Sequence, residues 1–150
     1  MAAGYSGTPL PQKLGIKPEG RVALVDAPTD FALDLPAGAR FVDGKAKDVD
    51  VVVWFVTARA RFAGRLASVA ARLQPAGGLW IAWPKKASGV ATDMTENAVR
   101  EVALPTGLVD NKVCAIDDTW SGLRLVVRVE NRPKPGVRPK AGARPKARRG

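Results

Sequence analysis

The chain contains no histidine, one cysteine and one tyrosine in 150 residues. Without histidine, the commonest general base at neutral pH and the commonest nitrogen ligand for metals are both absent. Cys114 has neither a histidine nor a second cysteine to work with, which excludes a Cys-His nucleophile, a thiolate zinc site and an internal disulfide. Its apolar strand setting points to inert packing, and a reducing, cytoplasmic home is expected. No stretch approaches 18 consecutive apolar residues, and the first ten residues lack the basic start and apolar run of an export signal, so no membrane association is expected. Ser88 and Thr92 stand in no nucleophile elbow or triad pattern, so neither is read as a nucleophile.

Acidic residues are missing from the last twenty positions. After Glu130 the chain carries Arg132, Lys134, Arg138, Lys140, Arg144, Lys146, Arg148 and Arg149 and no carboxylate side chain. Setting those eight charges against the net +10 leaves residues 1–131 at about +2. The basicity therefore belongs to the tail. An Arg-Pro-Lys unit recurs there with a period of six residues, and proline in each unit blocks a helix, so the segment reads as disordered. It would grip nucleic acid weakly and without sequence preference, or simply keep the chain dissolved.

What remains is enough for one domain, read as residues 14–130 between an N-terminal arm at 1–13 and the tail at 131–150. Nearly apolar runs at residues 21–26 and 49–56 predict strands buried on both faces. Between them, prolines and glycines leave room for at most a minor strand at Phe41 and Val42. Phe62, Leu66, Val69 and Leu73 recur at helical spacing and predict a helix over residues 59–74, with Thr57 able to cap it. Pro75, Gly77 and Gly78 end that helix and open a strand at 79–83. Asp93 and Glu96 have capping-box spacing before a second helix, and strands at 112–116 and 123–129 close the chain as a hairpin. The pattern is α/β, with a mostly parallel sheet and one reversed strand near the C-terminal end.

In such sheets ligands bind outside the carboxyl ends of the strands. That rule gathers Asp26, Trp83, Lys85, Lys86, Ser88, Thr92, Asp117 and Trp120 into one candidate site. Two lysines beside a helix N-terminus suit a phosphate or carboxylate. Trp83, placed near the rim, and Trp120 could stack a planar ring, while Trp80 is expected under a helix and Trp54 in the core. Asp26, Asp93, Asp117 and Asp118 are the only acids positioned for proton transfer, and the Asp117-Asp118 pair reads better as turn chemistry. No residue is assigned a catalytic or metal-binding role.

The segment Leu14-Gly-Ile-Lys-Pro-Glu-Gly-Arg-Val before the first strand resembles the approach to that strand in class I methyltransferase domains. Residues 73–81 and the closing hairpin are similar to the later strands of the same fold, across roughly residues 14–130. The resemblance implies a reduced, Rossmann-like three-layer sandwich and S-adenosylmethionine as cofactor. The loop after the first strand, residues 26–31, departs from the family by having no glycine for close approach to the cofactor. Tyr-Ser-Gly-Thr-Pro-Leu near the N-terminus, residues 83–95 and residues 116–123 resemble an actinobacterial family known only as a domain of unknown function. Three functions follow as expectations: a non-catalytic module binding a small anion or a protein partner, a divergent methyltransferase, or a nucleic-acid-associated protein acting through its tail.

Overall fold

The computed structural model describes residues 9–128 and residue 130. The basic repeat and Tyr5 lie outside the described residues. Strands β1 (Arg21–Val25), β2 (Arg40–Phe41), β3 (Val49–Phe55), β4 (Leu73–Pro84), β5 (Leu108–Ala115) and β6 (Trp120–Val127) form one sheet in the order β2-β1-β3-β4-β6-β5. The first four are parallel, and β6 runs antiparallel to both β4 and β5. The mixed sheet with one reversed strand is the one the sequence pattern predicts.

Alternation along the strands divides the core into two faces. Helices α2 (Arg59–Ala70) and α3 (Glu96–Ala103) cover one, burying Phe62, Leu66, Val69 and Val99 against Val52, Trp54, Ile81 and Trp83. The other face buries Val22, Val53, Phe55, Trp80 and Ile116 beneath Leu14, Ile16, Phe31, Leu33 and Leu35. Its cover is therefore the N-terminal segment, with the single turn α1 (Leu10–Lys13), and the long loop after β1. Trp80 lies under this segment and donates its indole N–H to the carbonyl of Leu14, the residue that ends α1, at 2.9 Å, so the helix at this position is a single turn.

Three local readings are corrected. Helix α2 stops at Ala70, four residues early, because Leu73 pairs with Val49 and draws the chain into β4 ahead of Pro75. Thr57 does not cap it: Ala58 holds the cap position, and Asp93 reaches across to accept the Arg59 amide at 2.7 Å. Thr95, not Asp93, caps α3, accepting the Ala98 amide at 3.0 Å.

Gly77 and Gly78 are required by close approach rather than by their conformation. A Cβ on Gly77 would come within 2.9 Å of the Val49 carbonyl, and one on Gly78 would strike the Arg124 guanidinium from β6. Gly77 thus lets β4 lie close against β3, and Gly78 lets it pass beneath that arginine.

Candidate functional site

The carboxyl ends of β1, β3 and β4 lie along one edge of the sheet, and the chain fills much of that edge with its own side chains. Phe55, the last residue of β3, packs edge-on against Phe31 from the loop after β1, with ring centroids 4.9 Å apart. On its other side it meets Trp120, the first residue of β6, at 5.1 Å and 89°. The resulting aromatic row crosses the place where a ligand would lie over the strand ends in an open α/β sheet.

The polar candidates at this edge are largely engaged. Asp26 takes a positive φ of 56° at the end of β1 and pairs with Arg61 at 3.1 Å and Arg65 at 3.7 Å, both from α2. Arginines of α2 and just after it are tied down as well: Arg59 pairs with Glu101 at 3.0 Å, and Arg72 bonds the Gly44 carbonyl. Asp93 places a carboxylate at the N-terminus of α2, where an external anion would otherwise be favoured. Thr92 donates to the Thr57 carbonyl at 2.6 Å and accepts the Met94 amide. Ser88 donates to the Lys85 carbonyl at 2.7 Å and accepts the Val90 amide. Asp117 accepts the amides of Thr119 and Trp120, both at 2.8 Å, which is turn chemistry.

Trp83 does not lie at the rim. It is 7% exposed and belongs to the helix-side core, because β4 runs on through Pro84 and keeps the indole inside the strand's alternation. Trp120 packs on the opposite face, so the two rings cannot share one stacked ligand. Lys85 and Lys86 leave the end of β4 half-buried and exposed respectively, the Lys85 amide donating to the Thr119 carbonyl at 2.7 Å. Neither ammonium is in an ion pair with a described residue.

Two further groups bear on chemistry. Burial pushes the Cys114 thiol up, against smaller opposing effects from Lys13 and Lys112, so it is not an activated nucleophile. Arg100 is held above its ordinary value by Asp110 first and Glu96 second, an ion-paired network joining α3 to β5. Among the described residues no three His, Cys, Asp or Glu side chains gather as a metal site, and no helix is long and apolar enough to cross a membrane.

The sequence pattern missed two features. Asp26 with Arg61 and Arg65, and Asp93 with Arg59, are pairings 34 to 39 residues apart that no local motif announces. The second is a cavity at the opposite edge of the sheet, between the amino ends of β1, β3 and β4, lined by Gly15 to Gly20, Asp50, Gln74 and Arg124. No local motif announces it, because its walls come from the segment before β1 and from β1, β3, β4 and β6.

Strand order, the reversed closing strand and the position of the helices define a Rossmann-like fold of the class I methyltransferase type. A SAM-dependent methyltransferase from Aquifex aeolicus superimposes with a TM-score of 0.53 at 12% identity, covering 77% of this chain and 87% of that one. A chain from Sulfolobus solfataricus assigned to the type 11 methyltransferases gives 0.46 at 13% identity. Here 61% of this chain matches 60% of that one, so the chain spans less than two thirds of that structure. Magnesium protoporphyrin IX methyltransferase from Synechocystis PCC 6803, with bound SAM, gives 0.44 at 12% identity over 63% of this chain and 47% of that one. At these identities the likeness is one of fold. The chain belongs to DUF3052, a family described as proteins of unknown function, whose model matches residues 24–129. No curated protein matches it.

The fold implies SAM, and the residues after β1 do not fit it. No glycine occurs from Asp26 to Ala37, no helix follows β1 to present its N-terminus, and Phe31 turns inward onto Phe55.

Proposed function

We propose that this chain is a non-catalytic Rossmann-like binding module, a bacterial, cytoplasmic protein whose domain at residues 14–130 is a scaffold and whose basic repeat at 131–150 grips polyanions. The observation that carries the reading is the Phe31, Phe55 and Trp120 row across the strand ends, which puts aromatic packing where the fold's cofactor crevice would be. The acids of that edge support it, because Asp26, Asp93 and Asp117 are engaged in pairing and capping. Lys85 and Lys86 supply the domain's own contact with an anionic ligand or an acidic protein partner. Arg132, Lys134, Arg138, Lys140, Arg144, Lys146, Arg148 and Arg149 supply the nucleic-acid contact, through phosphates and counterion release.

Calorimetric titration of the full chain tests this. SAM should give no binding heat. A DNA duplex should bind with an affinity that falls about tenfold or more between low and physiological salt. Changing the eight basic residues of the repeat to Gln should abolish that binding. Salt-independent retention, or retention by the neutralised repeat, would remove the polyanion role. The second reading, a divergent methyltransferase with a rebuilt cofactor loop, is favoured by the Aquifex superposition, and saturable one-to-one heat with SAM would establish it.

A further inference from the structure

The second face of the sheet is closed by two separate stretches of chain, the segment around α1 and the loop after β1, and a groove of about 350 Å³ lies along the seam between them. Pro9, Pro11 and Ile16 wall it on the first side, and Asp34, Leu35 and Pro36 on the second. The backbone bonds that fix its prolines stay within their own sides. Pro9 accepts the Lys13 amide at 3.1 Å, Pro11 the Ile16 amide at 3.0 Å and Pro36 the Ala39 amide at 3.0 Å, so none of the three crosses the seam.

The groove is stiff and suited to an aromatic ring. Each proline has its φ fixed by its own ring, and the carbonyl bonds hold the neighbouring turns, so the walls are formed before anything enters. Proline rings pack on aromatic rings in the recognition of proline-rich peptides, and here the prolines stand on the groove side. Ile16 and Leu35 add apolar surface. Asp34 supplies the one charge: it is exposed and has no hydrogen-bond or ion-pair partner among the described residues. A carboxylate only accepts hydrogen bonds, so an aromatic ring bearing an O–H completes the match.

Tyr5 is the chain's one tyrosine and its one aromatic residue outside the described residues. It stands four residues before Pro9, the first described residue and part of the groove wall. Four residues of chain span at most about 14 Å, so Tyr5 is tethered at the groove and meets it at a high effective concentration. Gly7, between the two, permits the chain to reverse. We infer that Tyr5 docks in this groove, its ring between Pro11 and Pro36 and against Leu35, its hydroxyl donating to Asp34. The arm then straps the loop after β1, which carries Phe31, onto the segment around α1. This holds whether or not the carboxyl edge takes a ligand.

Nuclear magnetic resonance of the full chain tests it, because a single tyrosine gives a single set of ring signals. Nuclear Overhauser effects are expected from that ring to Pro11, Leu35 and Pro36, and they should persist on tenfold dilution. Asp34→Ala, at an exposed position, should weaken them. Tyr5→Ala should speed amide exchange at Ala39, bonded to Pro36, by about tenfold and leave the amides of β3 unchanged. Ring signals at their positions in urea, without those Overhauser effects, would overturn the assignment, as would unchanged exchange at Ala39. Effects seen only between labelled and unlabelled chains in a mixed sample would overturn it too, by seating a second copy's arm in the groove. The Overhauser measurement uses the unaltered chain, so it decides even if a variant fails to fold.

Discussion

Trp120 stands edge-on to Phe55, ring centroids 5.1 Å apart, so the first residue of the reversed strand closes the end of a parallel one. Tryptophan and phenylalanine favour this arrangement because the positive edge of one ring meets the negative face of the other. The contact brings together two parts of the chain 65 positions apart and explains why the carboxyl edge reads as packing.

Trp120→Ala should therefore act as a core substitution despite its place beside a turn. A loss of about 3 kcal/mol is expected in urea denaturation. No heat with SAM should appear in the variant, since removing the ring does not supply glycines to residues 26–31.

Asp93→Ala and Thr57→Ala separate the observed cap of α2 from the one its sequence suggests. The first removes the acceptor for the Arg59 amide and should cost about 1 kcal/mol. The second alters an exposed side chain and should stay within about 0.5 kcal/mol. Equilibrium unfolding of the two variants in parallel checks the order.

Alanine at the glycine pair should give unequal effects. At position 77 the added carbon meets the Val49, Asp50 and Gln74 carbonyls at 2.9 to 3.1 Å, and backbone must move. Gly77→Ala should cost about 2 kcal/mol. At position 78 the obstacle is the end of a flexible arginine, so Gly78→Ala should cost less, while displacing Arg124 from the amino-edge cavity. Thermal unfolding of the two variants checks the order.

Alkylation of Cys114 should be slow in the folded chain. Burial raises its pKa, so at about pH 8 the folded state holds less thiolate than the unfolded state does. Iodoacetamide labelling followed by mass should accelerate on adding urea. In the folded chain the rate should keep rising with pH beyond the range where an unfolded thiol levels off. Faster labelling of the folded form would contradict the inert assignment.

The neighbouring readings around Trp83 and Asp117 show where sequence pattern was sufficient. Asp117 before Thr119 and Trp120 is turn chemistry that needs only local geometry, and the amides lie where that geometry puts them. Trp83 needed the length of β4. One further paired residue, Pro84, turns a presumed rim tryptophan into a core one.

By itself the sequence determined the α/β class, the apolar strands read at 21–26 and 49–56, the helix bearing Phe62 and Leu66, and the reversed closing strand. Those follow from periodicity and from glycine and proline positions, which act over a few residues. Only the tertiary structure decided that a loop covers the second face, that Asp26 and Asp93 are engaged by α2, and that Phe31 and Trp120 meet over Phe55. It also decided that Arg124, Asp50 and Gln74 surround one cavity. Each of these joins residues that are distant along the chain, and their proximity comes from strand order and register, which a hydrophobic pattern leaves open.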